Sequence, residues 1–128
     1  MDDVPLSDPT LRLGSVHLAV ADLPRSVDFY TRALGLSLIA KGEEEAILGA
    51  DQHPLVQLTR LAHPTAAPAR GAGLFHFALL HPTRSSLADT VLRVASSRWP
   101  ISGAADHGVS EAIYLDDPDG LGIELYVD

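Results

Sequence analysis

The 128-residue chain has no cysteine, which excludes disulfides and thiolate metal sites. Long apolar runs are missing too, and no uninterrupted stretch approaches the ~18 residues that span a bilayer. Basic residues are scarce, nine Lys and Arg against seventeen Asp and Glu, for a net charge of -8 and a pI near 5.0. With no Lys/Arg cluster to neutralise phosphates, the composition argues against nucleic-acid binding. The opening residues MDDVPLSDPT are acidic and proline-broken, unlike a signal or transit peptide, so the expected placement is cytoplasmic. What remains is 46% hydrophobic and 20% charged, the balance of a soluble globular domain with one sizeable core.

Periodicity and punctuation divide the chain. Leu13–Val20 reads as a strand. Asp22 is an N-cap candidate, with Pro24 in the first turn of a helix over Arg25–Leu34 that Gly35 stops. Leu36–Lys41, Glu45–Leu48 and Leu55–Leu61 read as short strands. Residues 62–73, AHPTAAPARGAG, form an Ala/Pro/Gly linker without apolar period. The pattern then restarts, with a strand at Leu74–Leu80, a helix at Ser85–Ser97, and strands at Glu111–Leu115 and Gly122–Val127. Asp116–Gly120 between the last two reads as a structural turn, because Pro118 and Gly120 suit one.

The restart is a repeat. When His17–Ser26 is laid over His76–Ser85, the His, Ala, Arg and Ser coincide and three further positions match as apolar. LVQL at Leu55–Leu58 likewise lies over GIEL at Gly122–Leu125, setting Gln57 against Glu124. The chain therefore reads as one domain of two βαβββ modules, residues 13–61 and 74–128, joined by the linker.

Strand alternation separates the chemistry from the core. Val16, Leu18 and Val20 share one face of the first strand, and His17 stands on the other with Ser15 and Ala19. His76 stands with Leu74 and Ala78. On the last strand Ile123, Leu125 and Val127 oppose Gly122, Glu124 and Tyr126. An ionised carboxylate among such neighbours needs a partner or a cation. His17, His76 and Glu124 are the residue types of a two-His-one-carboxylate centre, which suits Fe(II) and also accepts Mn(II) or Zn(II). Equivalent positions in two modules can meet across a pseudo-twofold axis, so the three side chains are expected to converge on one point.

Two segments, HLAVADLPRSVDFYTRALGL after the first strand and YLDDPDGLGIELY at the end, resemble the glyoxalase/bleomycin resistance/dioxygenase (vicinal oxygen chelate) superfamily over Leu13–Asp128. GAADHGVSEAIYLDDPDGLGIELY is similar to the catechol 2,3-dioxygenase-like extradiol enzymes within it. The resemblance implies an α+β fold whose paired βαβββ modules form a U-shaped mixed sheet around a metal. It implies metal ligands at His17, His76 and Glu124, a substrate-binding Tyr114, and acid–base histidines at His107 and His53, of which His53 is the loosest match. The implied reaction is cleavage of a catechol-type diol with O₂ at Fe(II), by a homodimer.

Departures from the pattern keep other readings open. Gln57 occupies the position where glyoxalase I-type lyases carry a fourth ligand, usually Glu. Many extradiol enzymes contain two such domains, and one is present here. A thiol transferase acting on a phosphonate would need cationic residues near the strands, where only Arg12, Lys41 and Arg60 stand. A bleomycin-resistance-type drug-binding dimer would have no need of the intact ligand set. His63 and His81 border prolines and read as surface residues.

Overall fold

The computed structural model describes residues 15–62, 76–106 and 110–128. The linker at 62–73 falls almost wholly outside them, as do His63 and His107.

The first module runs β1 (Val16–Val20), α1 (Leu23–Asp28) continued by a π-helical turn (Phe29–Ala33), β2 (Ser37–Lys41), β3 (Glu45–Ala50) and β4 (His53–Arg60). The second runs β5 (His76–Leu80), α2 (Arg84–Ser96), β6 (Ile101–Asp106), β7 (Glu111–Asp116) and β8 (Gly122–Val127). Each module makes one four-stranded mixed sheet, in the orders β1-β4-β3-β2 and β5-β8-β7-β6. In each the first strand pairs parallel to the last and the remaining pairs are antiparallel. The repeat read from sequence is thus a repeat of topology.

Helix starts follow local chemistry. Asp22 caps α1, its Oδ1 accepting from the Arg25 N–H at 3.0 Å, with Pro24 in the first turn. Thr83 and Ser86 form a reciprocal capping box at the start of α2. Gly35 ends the first helix at φ 78°, the left-handed region that glycine enters without penalty.

Three local features differ from expectation. The helix over Arg25–Leu34 is not uniformly α. The Thr31 hydroxyl donates back to the Val27 carbonyl at 2.8 Å, and the ladder widens until Leu34 N–H reaches the Phe29 carbonyl at 3.3 Å. That turn buries Phe29, Tyr30 and Ala33 together. Second, Ile101–Asp106 is a strand although ISGAAD has no apolar alternation. Pairing with β7 holds it, with a register shift between Ile101 and Gly103. Third, β3 and β4 extend to a tight turn whose residues Asp51 and Gln52 have φ of 50° and 66°, which puts His53 on a strand.

The core lies between the helices and the apolar strand faces. Leu18, Val20, Leu48, Val56 and Leu58 of the first module join Phe77, Leu115, Ile123 and Leu125 of the second in one cluster with Phe29, Tyr30, Leu87 and Val94. Each such side chain contributes about 1.5–3 kcal/mol by burial. Alternation then leaves the opposite sheet faces to the polar residues.

The modules are also tied by hydrogen bonds. Asp117 is buried, and its Oδ1 accepts from the backbone N–H groups of Asp119 and Leu121 at 2.9 and 2.8 Å. Its Oδ2 accepts from the Tyr30 hydroxyl at 2.9 Å. Asp119 accepts from the Ala21 N–H at 3.4 Å and pairs with Arg25 at 2.8 Å. The Asp116–Gly120 turn therefore fastens the second module to the first. Among the described residues no helix is long and apolar enough to cross a membrane.

Candidate functional site

Cross-strand register shows what shares a face. In the second sheet, His76 lies opposite Gly122 and Ala78 opposite Glu124 on the parallel pair β5–β8. Across the antiparallel pair β7–β8, Tyr114 lies directly opposite Glu124. His76, Glu124 and Tyr114 are therefore neighbours on the open face, His76 one diagonal from Glu124. Glycine and alanine at the intervening positions leave space between them. Glu124 and Tyr114 are half-buried and His76 is exposed.

The first sheet repeats this arrangement with different chemistry. His17 is exposed and lies opposite Gln57 on β1–β4. Gln57 Nε2 donates to Glu45 Oε1 at 3.1 Å. Glu45 was absent from the residues singled out in the sequence, although alternation over Glu45, Ile47 and Gly49 places it on the same face as Gln57. This face thus carries an imidazole, an amide and a carboxylate.

His53 opens β4 and is exposed, with Nδ1 3.1 Å from the Asp51 carbonyl oxygen. A carbonyl only accepts, so Nδ1 carries the proton and Nε2 is the basic nitrogen. Alternation sets His53 on the strand face of Leu55 and Gln57. His107 lies outside the described residues. His81, expected at the surface, is half-buried, with Nε2 3.1 Å from Thr90 Oγ1.

The candidate metal ligands stand in two groups, His17 on the first sheet, His76 and Glu124 on the second. Among the described residues no group of three or more His, Asp or Glu side chains is gathered closely enough to hold a metal ion. The donor types fit a two-His-one-carboxylate centre, and the register fits for the pair on the second sheet. One chain does not assemble the full set.

A duplicated βαβββ module with helices on one face of each sheet and imidazole, carboxylate and phenol on the other defines a class of paired-module α+β proteins. The chain belongs to the Glyoxalase/Bleomycin resistance protein/Dioxygenase superfamily, whose family model matches residues 12–125. It is 39% identical over 118 residues to a catechol-2,3-dioxygenase of Bacillus subtilis, covering 91% of this chain and 41% of that protein. It is 29% identical over 123 residues to a probable lactoylglutathione lyase of Vibrio cholerae, covering 89% of this chain and 88% of that one. The chain thus spans less than half the length of the Bacillus relative. Among solved structures, a glyoxylase/bleomycin resistance protein/dioxygenase domain from Frankia superposes with a TM-score of 0.73 at 18% identity, covering 88% of each chain.

Proposed function

We propose that the chain is a metal-dependent extradiol dioxygenase-like protein that cleaves a catechol-type aromatic diol with O₂, and that two copies together complete its centre. Members of the superfamily are mostly enzymes and usually use a divalent metal. The single observation that carries the reading is the register that sets Tyr114 opposite Glu124 with His76 one diagonal away. The 39% identity to a catechol dioxygenase supports it.

In this reading His17, His76 and Glu124 hold the metal, and the donor set favours Fe(II) over Mn(II) or Zn(II). Held by these residues, Fe(II) would supply Lewis acidity toward a diol hydroxyl and a template for diol and O₂. The chain's own residues do the rest. Tyr114, half-buried beside Glu124, donates its phenol hydrogen to a diol oxygen and fixes the ring. His53 offers its unprotonated Nε2 to accept a proton, and His107 returns one. Glycine and alanine beside His76 and Glu124 leave room for a flat ring.

A glyoxalase-like lyase is the second reading. It is favoured by the Glu45 carboxylate bonded to Gln57 at the position of a fourth ligand, and by a lyase relative of similar length. One experiment separates the two. The chain is loaded with Fe(II) without oxygen, mixed with a panel of catechols, and exposed to air. A parallel sample receives methylglyoxal and glutathione. Yellow ring-fission product with matching O₂ uptake is the expected result. Thioester formation without any ring fission supports the lyase and overturns the dioxygenase.

A further inference from the structure

At the C-terminal end of β5, roughly 10–13 Å along the strand from His76, a cavity of about 270 Å³ lies between the modules. Leu34, Leu36 and Leu55 of the first module and Leu79 and Leu125 of the second form its apolar walls. Asp89 and Arg93 of α2 line it as well. Acid followed by base at this i,i+4 spacing is the order that normally pairs on a helix. Here no ion pair or hydrogen bond joins their side chains, and neither side chain has another polar partner among the described residues.

The Arg93 guanidinium lies across Gly35. A Cβ on Gly35 would come within 2.7 Å of the guanidinium carbon, so the absent side chain is what admits the arginine. Arg25, Arg32, Arg60 and Arg84 each take a carboxylate partner. Among the described residues, the guanidinium at this cavity takes none. His81 shares the cavity wall, but burial pushes its imidazole below the ordinary value, against the influence of the nearby Leu79 and Tyr126 carbonyls. The ring adds no cation there at neutral pH. The charges left are one anion and one cation, held apart on one helix face beside a leucine-lined space.

We propose that this cavity binds a small zwitterion, an α-amino acid with an aliphatic side chain. Its carboxylate meets the Arg93 fork, its ammonium meets Asp89, and its side chain enters among the leucines. Arginine's planar donors match a carboxylate in pairs. The volume lies just below the roughly 300–1,000 Å³ of pockets for drug-sized ligands, which suits a molecule of this size. The site is separate from the metal-ligand candidates, so its test stands apart from the proposed activity.

The test is calorimetric titration of the full chain with L-leucine in chelator-treated buffer. 4-Methylpentanoate, lacking the ammonium, and isopentylamine, lacking the carboxylate, are titrated in parallel. Leucine is expected to bind, with each truncated probe at least about tenfold weaker because one charge-assisted contact is lost. Arg93→Gln and Asp89→Asn should each weaken leucine by a similar factor without shifting the thermal midpoint, since both residues are exposed. The proposal is overturned if leucine gives neither heat nor NMR shift changes at millimolar concentration. It is equally overturned if 4-methylpentanoate matches leucine, or if both variants bind as the wild type does.

Discussion

At the scale of single residues, the division of labour on the open face of the second sheet makes a sharp prediction. Glu124 and Tyr114 are direct cross-strand neighbours, yet their proposed roles differ. Glu124 brings the only negative charge of the proposed ligand set, and Tyr114 touches only substrate. Glu124→Gln should therefore collapse Fe(II) content, read by elemental analysis after loading. Tyr114→Phe should keep the metal and lose turnover, on the order of 10²-fold as for other positioned proton donors. Full metal occupancy in Glu124→Gln would remove it from the ligand set, and unchanged rates in Tyr114→Phe would remove its substrate role. These positions were legible in the sequence because a strand alternates, and a His or Glu flanked by small residues opposite an apolar face stands out. Glu45 obeys the same rule but opens its strand among the acids of GEEE, where a solvated charge is the ordinary expectation. His81 was misplaced for another reason: its partner Thr90 lies on α2, and nothing local to the HPT segment indicates that packing.

At the scale of elements, the contact that matters most joins a helix to a distant turn. Tyr30, fully buried in the π-helical turn, stacks near Phe77 at 6.5 Å between ring centroids and donates to Asp117. Burial, then the charge of Asp117, pushes the phenol well above its ordinary range. Burial also raises Asp117, against the three hydrogen bonds it accepts. Tyr30→Phe removes the donor and leaves Asp117 Oδ2 buried without its partner, an expected loss of about 1.5–3 kcal/mol in urea unfolding near neutral pH. The pH dependence follows from linkage. Below about pH 10 the phenol is neutral in the folded and the unfolded chain, and the stabilisation is present in full. Above that, the unfolded chain ionises while the folded one resists, so wild-type stability falls as pH rises and its advantage over Tyr30→Phe narrows. A gap that stays constant to pH 11 or widens would contradict the coupling. The boundaries of α1 and α2 were legible from Asp22, Pro24, Gly35 and the apolar spacing. The π-helical turn was not, because it depends on Thr31 bonding backward and on Tyr30 reaching a residue 87 positions away. The edge strand β6 was missed because its Gly and Ala residues carry no pattern of their own and it is held by β7.

At the scale of the whole molecule, the proposed ligand set divides between the two sheets, and the question is where the two parts meet. His17 stands opposite Gln57 on one sheet, while His76 and Glu124 share the other, and one chain gathers no metal-binding group among its described residues. The chain also spans 41% of the Bacillus dioxygenase it resembles. In the proposed dimer, two copies related by a twofold axis would supply every ligand twice, and a self-complementary pairing of open faces would bring His17 of one copy toward His76 and Glu124 of the other. Light scattering of the loaded chain should then report a dimer. A mixing experiment tests the geometry more directly. His17→Ala and Glu124→Gln are each expected to hold almost no Fe(II) when pure. Unfolded together and refolded at equal amounts, they form mixed dimers in which one of the two centres has all three native ligands. With random pairing, about a quarter of all centres recover metal under this twofold arrangement. If each chain builds its own centre, every chain in the mixture still lacks one ligand and no metal returns. Separate refolding followed by mixing, under conditions where subunits do not exchange, is the control that must stay empty. Recovery only after joint refolding assigns the centre to the pair of copies, and failure to recover with dimers demonstrably mixed returns all three ligands to a single chain.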